Sequence, residues 1–138
     1  MPKLDPAFIK ERAVGSLVET LGLEILEAGD GVARGRLVVE ARHLAPNGFL
    51  HAATVVALAD TTCGYGTYAD IPEGASGFTT AELKSNHMGT ARTGTLHCEA
   101  TAQHQGRTTQ VWDARVYEAA RPDKTIALFR CTQIILWP

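Results

Sequence analysis

The spacing of apolar residues changes period several times along the chain, and each change marks an element. Asp5 followed by Pro6 reads as an N-cap with proline at the first helical position, and Phe8, Ile9, Ala13, Leu17 and Val18 then recur near helical spacing. A short opening helix is predicted. In "GLEILEAGDGVARGRLVVEA" the pattern switches to alternation around a Gly-Asp-Gly turn, with Leu23 and Ile25 before it and Val32, Leu37 and Val39 after it. That is a hairpin signal. "RHLAPNGFLH" follows with Pro-Asn-Gly turn chemistry. From Ala52 to about Tyr65 no proline interrupts the chain and glycine enters only near the end, which predicts one helix of several turns. Val55, Val56, Ala57, Leu58 and Ala59 are consecutive, so apolar groups surround its axis and the helix belongs inside the protein.

After the loop "DIPEGASG" come the β-rich stretches "FTTAELKSNHM", "GTLHCEATAQHQ", "RTTQVWDARVYEA" and "KTIALFRCTQIILW", separated by turn-like "GTARTG", "QG" and "ARPDK". The order is helix, two strands, long helix, four strands. A lone buried helix must be covered on most sides, and an antiparallel sheet curling around it does this with the fewest elements. The expected class is therefore α+β, and the outer face of such a sheet favours association with a second copy.

Composition narrows the function more than the fold. A chain of 138 residues suits one domain, and no repeat, linker or low-complexity tract divides it. The formal net charge of −2 supplies no basic field for nucleic acid. No apolar run approaches the roughly 20 residues that span a bilayer, and "MPKLDPAFIKERAVGSL" lacks the apolar region of a signal peptide. A cytoplasmic protein without membrane or nucleic-acid partners is expected. Cys63, Cys98 and Cys131 are odd in number, with no CxxC spacing and no paired histidine, so reduced, mostly buried thiols are expected and no metal site.

One residue does not fit the apolar helix. Asp60 has Val56, Ala57, Cys63 and Gly64 at the helical positions three and four away, none of them cationic. A buried charge needs partners, a proton, or water reached through a cleft. Two readings stay open: a carboxylate satisfied by backbone or hydroxyl groups of a neighbouring strand, or one on a pocket floor with raised proton affinity, working as base or nucleophile. His51 lies just before the helix, where the amides of Ala52 and Ala53 lack intrahelical partners and can hold a developing oxyanion. His51 itself reads more simply as a turn histidine bonded to backbone. Cys63, one turn past Asp60, has no base at helical spacing and reads as an inert thiol. His87, His97 and His104 show no metal-ligand spacing, "GYGTYAD" follows a helix where a nucleotide loop would precede one, and Trp112 and Trp137 read as packing residues.

"PNGFLHAATVVALADTTCGYG" resembles the "PxGxxHGGxxxxLAD" region of hotdog-fold acyl-CoA thioesterases of the PaaI-like and 4-hydroxybenzoyl-CoA type, and "TTAELKSNHMGTARTG" is similar to their third strand. The resemblance implies a single hotdog thioesterase domain over residues 1–138, with an antiparallel sheet wrapped around a long central helix. It implies a hydrolase that splits an acyl-CoA, with an aromatic acyl group in view, into acid and thiol, needing no cofactor beyond the coenzyme A of the substrate. By the same resemblance Ala52 supplies the N–H that polarises the carbonyl, Asp60 attacks or activates water, and Thr80 places that water, with His51 beside them. It further implies that Asp60 and Thr80 come from different chains of a homodimer or a dimer of dimers.

Asn47, Gly48, Ala53 and Gly64 are the expected substrate contacts, with Lys84, Arg92 and Arg107 as candidates for the phosphates of coenzyme A. Ala52 and Ala53 replace two glycines of the family pattern, and Ala45 stands where the family often has asparagine. These departures bear on substrate placement and keep two alternatives in view: an acyl-thioester hydratase or dehydratase, and a binding or sensing protein that has lost turnover.

Overall fold

The computed structural model describes residues 3–138, so the first two positions of the expected domain lie outside the described residues. The opening helical pattern resolves into two helices. α1 (Pro6–Ala13) starts as expected, with Asp5 Oδ1 accepting the Ala7 N–H at 2.9 Å. Gly15 then turns left-handed (φ +78), and Ser16 precedes α2 (Leu17–Leu21), which ends at left-handed Gly22. A left-handed residue cannot continue a right-handed helix, so the periodicity that runs through Gly15 spans a break. Ile9 and Ala13 are buried, whereas Phe8 and Leu17 of the same predicted face stay exposed.

β1 (Glu24–Gly29) and β2 (Val32–Val38) form the predicted hairpin. Asp30 (φ +57) and Gly31 (φ +76) make the two-residue turn whose twist matches antiparallel strands. A 3₁₀ turn at Ala41–His43 and the Pro46-Asn47-Gly48 turn lead into α3 (Ala52–Ala69). The last strands are β3 (Gly77–His87), β4 (Thr95–Gln105), β5 (Thr109–Glu118) and β6 (Arg121–Leu136). All six pair antiparallel in one sheet, in the order β1-β2-β4-β5-β6-β3, and every strand touches α3. This is the hotdog fold.

Alternation sends Leu96 and Cys98 of β4, Trp112 and Val116 of β5, and Phe129 and Cys131 of β6 inward against Val55, Leu58, Ala59 and Cys63 of α3. The helix runs a turn past its predicted end because its glycines serve packing here. A Cβ on Gly66 would lie 2.5 Å from the fully buried ring of Trp112. Enclosure is nevertheless incomplete. Val56, Ala57, Asp60, Thr61, Gly64, Tyr65 and Tyr68 recur at helical spacing and stay half-exposed, so the expectation of a helix buried all round is corrected to one buried on all but a single stripe.

Gly66 gives a test of this packing. Alanine normally gains up to about 1 kcal/mol over glycine inside a helix, whereas overpacking a core costs about 1–3 kcal/mol. Because the Trp112 ring has no solvent side to move into, Gly66→Ala is expected to lower the thermal and urea midpoints while keeping the far-UV spectrum. An unchanged or raised midpoint would show that the ring shifts freely.

Candidate active site

The start of α3 is fixed by residues upstream of it. His43 is fully buried, accepts the Glu40 N–H at Nδ1 (2.9 Å) and donates from Nε2 to the Leu21 carbonyl (2.7 Å). Its own carbonyl accepts the His51 N–H and the Thr54 hydroxyl, each at 3.0 Å. Asn47 Oδ1 accepts the Phe49 N–H at 3.1 Å and Gly48 takes φ +84, which turns the chain into the helix. His51 is the N-cap: its Nδ1 accepts the Ala53 N–H at 2.9 Å and its carbonyl accepts the Thr54 N–H at 3.0 Å. Of the two amides expected to be available, that of Ala53 is thus occupied. The Ala52 N–H has no partner among the described residues and sits at the positive end of the helix dipole.

Asp60 lies eight positions further on, about 12 Å along the axis at 1.5 Å per residue. It is half-buried, and its Oδ1 accepts the Thr80 hydroxyl at 2.9 Å. Both residues belong to one chain, so the expectation that they come from different chains is corrected. The pairing follows from the sheet: β3 is its last strand and bulges at Ala81, directly after Thr80, whose register partner on β6 is Gln133. Asp60 and Thr80 line a cavity of about 250 Å³ with Arg12, Thr61, Gly64, Tyr65, Tyr68 and Phe78. Asp60 Oδ2 has no hydrogen-bond partner among the described residues. Burial pushes the Asp60 carboxyl above its ordinary range, and the Thr80 hydrogen bond pulls more weakly the other way. Arg12 does not pair with it; its guanidinium lies over the Tyr68 ring, 4.7 Å from the centroid.

The predicted site residues therefore fall into two groups. Asn47, Gly48, His51, Ala52 and Ala53 gather at the start of α3, joined by Arg92, whose guanidinium lies 4.2 Å from the Phe49 ring centroid. Asp60, Gly64 and Thr80 gather at its middle. Two cations join neither group. Lys84 pairs in register with Arg130 and lines a larger depression of about 370 Å³ with Glu82, Asp113 and Leu128, a surface that contains none of the Asp60 group. Arg107 stacks on Trp137 at 4.3 Å, two residues beyond Gln105, which binds Asp70 at the far end of α3.

Cys63, Cys98 and Cys131 are buried and free; burial pushes the Cys98 thiol up to about 12. Among the described residues no group of three His, Cys, Asp or Glu side chains is arranged to hold a metal, and no helix is long and apolar enough to cross a membrane.

Sequence reasoning missed Arg12, Tyr65, Tyr68 and Phe78, which line the cavity, and Gln133, whose Oε1 lies 2.9 Å from Thr80 Oγ1. Gln133 had a signal. It interrupts the inward alternation of Phe129, Cys131 and Ile135, a position that normally holds an apolar residue.

Comparison with known proteins decides the family. The sequence model of the Thioesterase superfamily matches residues 47–123, a span that includes every residue of both groups. The chain belongs to the thioesterase superfamily. It is 31% identical to 1,4-dihydroxy-2-naphthoyl-CoA hydrolase of Listeria monocytogenes, over 84% of this chain and 92% of that one. It is 30% identical to the proofreading thioesterase EntH of Cronobacter turicensis, over 77% of each chain. A mutant thioesterase of Pseudomonas aeruginosa superposes with a TM-score of 0.89 at 26% identity, covering 96% of this chain and 94% of the other. The PaaI protein of Escherichia coli shares the fold, with a TM-score of 0.81 at 24% identity.

As a thioesterase, the molecule is a hydrolase of acyl-CoA thioesters. Its fold supplies an amide donor at a helix start and a carboxylate with raised proton affinity in a cavity, which are the kinds of group that thioester hydrolysis uses.

The raised proton affinity of Asp60 has a sign in stability. Between the ordinary carboxylate range and its folded value, the native thioesterase holds more protons than the unfolded chain, so stability falls as pH rises through that window and stays lower above it. Asp60→Asn removes the charge and keeps an acceptor for Thr80. It is expected to melt above wild type at neutral pH, with the gap closing as pH drops from the raised folded value of Asp60 down to the ordinary carboxylate range. A variant that melts below wild type at neutral pH would contradict the desolvation account.

Proposed function

We propose that the chain hydrolyses acyl-CoA thioesters with an aromatic acyl group, in a homodimer whose active site joins the Ala52 amide of one copy to Asp60 and Thr80 of the other. One observation carries this reading: Asp60 keeps one oxygen without a partner among the described residues, in a cavity walled by Tyr65, Tyr68 and Phe78. Those rings suit a flat acyl group, and Gly64 preserves the space, since a Cβ there would already stand 3.5 Å from the Phe78 ring.

The dimer follows from distance. A carbonyl must lie within about 3 Å of its oxyanion donor and close to the attacking group. Ala52 and Asp60 of one straight helix stand about 12 Å apart along the axis, so one chain cannot bring both to one carbonyl. The half-exposed stripe of α3 and the unpaired edge of β3 are the surfaces proposed to meet a second copy. Leu83, exposed on β3 and in register with inward-facing Cys131, adds apolar area beside that edge.

In this reading the thioester oxygen accepts the Ala52 N–H. If Asp60 acts as base, it takes a proton from water, the water oxygen bonds to the carbonyl carbon, the carbon–sulfur bond breaks, and the thiolate gains that proton. If Asp60 attacks, the carbon–sulfur bond breaks to leave an acyl–Asp60 anhydride, and water then cleaves the anhydride, freeing the acid and supplying the thiol proton. Thr80 holds the carboxylate, and His51 acts as a cap that keeps the Ala52 amide free. Asn47 and Gly48 shape the turn that presents this amide, and Arg92 beside it meets the coenzyme A phosphates. Lys84 and Arg107 are given no part. The whole chain is read as one domain acting in the cytoplasm, where free thiols persist.

The test is thiol release from short, medium, long and aromatic acyl-CoAs by wild type, Asp60→Asn and Ala52→Pro. Ala52 is the first helical residue, where proline is tolerated, and His51 already has the extended backbone that a following proline requires (φ −70, ψ 132). Ala52→Pro therefore deletes the N–H with little cost to the helix. Turnover should be fastest on aromatic substrates and fall about 10²–10⁴-fold in Asp60→Asn and about 10²–10³-fold in Ala52→Pro, with both variants folded and dimeric. Binding of acyl-CoA without release from any substrate would favour the sensing alternative; undiminished turnover in folded Ala52→Pro would remove the amide from the mechanism.

A further inference from the structure

The Thr80 hydroxyl has two acceptors and one hydrogen. Its Oγ1 lies 2.9 Å from Asp60 Oδ1 and 2.9 Å from Gln133 Oε1. A hydroxyl can donate to only one of them, so the other contact must be reversed: either Asp60 is protonated and donates to Thr80, or the Gln133 amide is turned over and donates through Nε2. Gln133 is fully buried on β6, and among the described residues its side chain makes one other hydrogen bond, from Nε2 to Cys131 Sγ at 3.5 Å. Sulfur both donates and accepts weakly, so the Cys131 thiol can serve as acceptor or donor to the amide. Either orientation of the amide therefore finds a partner at its far end.

We propose that Gln133 is a positioning residue that lets Asp60 exchange its proton inside a buried network, by turning its side-chain amide so that the Thr80 hydroxyl points toward Asp60 when the carboxyl is ionised and away from it when it is protonated. In the protonated state Asp60 donates to Thr80, Thr80 donates to Gln133 Oε1, and Gln133 Nε2 donates to Cys131 Sγ. In the ionised state the Cys131 thiol donates to Gln133 Oε1, Gln133 Nε2 donates to Thr80, and Thr80 donates to Asp60. Only the carboxyl proton leaves or arrives; the hydroxyl and thiol hydrogens rotate, the Gln133 amide turns over, and no covalent bond other than the carboxyl O–H changes.

Each state satisfies the buried polar atoms, so changing charge orphans none of them. The groups around Asp60 leave this role to the amide. Arg12 on α1 lies over Tyr68, Tyr65 and Cys63 on α3 are pushed up by their surroundings, as is Cys98 on β4, and Cys131 on β6 contacts Asp60 only through the chain just described.

The kinetic side of this inference rests on the reading that Asp60 is the working carboxylate, so the test has an arm that does not. In wild-type dimer the Asp60 carboxyl carbon and the Gln133 side-chain NH₂ are followed by NMR through one pH titration. The two are expected to change with a common midpoint, and the Gln133 signals are expected to be flat in Asp60→Asn. Gln133 signals that stay flat while the Asp60 carbon titrates would overturn the proposal, whatever the activity. In the second arm, kcat/KM is measured against pH. Gln133→Met takes away the acceptor that the protonated state needs and should move the acid limb to lower pH by roughly half a unit or more. Gln133→Glu keeps the shape, adds an anion, and should move it higher. An acid limb unmoved in both variants, folded, counts against Gln133 as a positioning residue if the NMR midpoints also differ. With a shared NMR midpoint, unmoved limbs would instead leave the proton coupling standing and remove Asp60 from the rate-determining chemistry.

Discussion

The structure depends on how closely an eighteen-residue helix approaches the sheet beneath it. Contact is made where each surface lacks a side chain. A Cβ on Gly35 of β2 would stand 2.5 Å from the Thr62 hydroxyl of α3, and one on Gly66 of α3 would stand 2.5 Å from Trp112 of β5. With the helix held this near, its polar groups must find partners within a turn. The Thr62 and Thr67 hydroxyls donate to the carbonyls four residues back, Leu58 and Cys63, at 2.7 and 3.0 Å. Asp60 has no such local solution because a carboxylate cannot donate to a carbonyl. It is left to the cavity side, where Thr80 on β3 reaches it. The position of the carboxylate is thus a consequence of the packing.

Elements that rest on period and turn chemistry were legible in the sequence. The hairpin around Asp30-Gly31, the helix beginning at Ala52 and the four later strands follow from alternation, apolar density and glycine placement. Two errors share one cause, the reading of glycine. Gly15 was passed over and breaks the opening helix, whereas Gly64 and Gly66 were taken as signs of an end and lie inside α3. A glycine's role depends on whether its backbone turns left-handed or its missing side chain makes room, and only tertiary neighbours decide which. The site divides the same way. Asp60, Ala52 and Thr80 stood out by local contrast and family pattern, but which of them meet in one chain depends on strand order, since β3 closes the sheet beside β6. Arg12, from a helix forty-eight positions before Asp60, leaves no local trace of its place on the cavity wall.

The surroundings of Asp60 also explain why it is held by a hydroxyl. A cation in contact would favour the ionised form and weaken the carboxylate as a base. The cavity does contain one among its described lining residues, yet Arg12 is occupied by the Tyr68 ring, and burial dominates the behaviour of the carboxyl. A single hydroxyl gives direction to one oxygen without neutralising the group. The orientation of Asp60 is then set by β3 and β6, and its proton affinity by the apolar and aromatic wall, so the two properties can vary independently.

The same helix cannot serve one carbonyl at both ends. Its dipole concentrates useful charge in the first turn, and the effect fades beyond it, while Asp60 must sit deep enough along α3 to be desolvated by Tyr65, Tyr68 and Phe78. Moving the acid toward the first turn would bring it near the exposed His51, Ala52 and Ala53, where water would restore its ordinary proton affinity. Moving the amide inward would bury it in the intrahelical ladder and remove it as a donor. Within one chain the two requirements exclude each other. In the proposed dimer they are met by two helices, each contributing its exposed start to one site and its shielded middle to the other, so that the distance separating the groups in each chain is what gives the pair two sites.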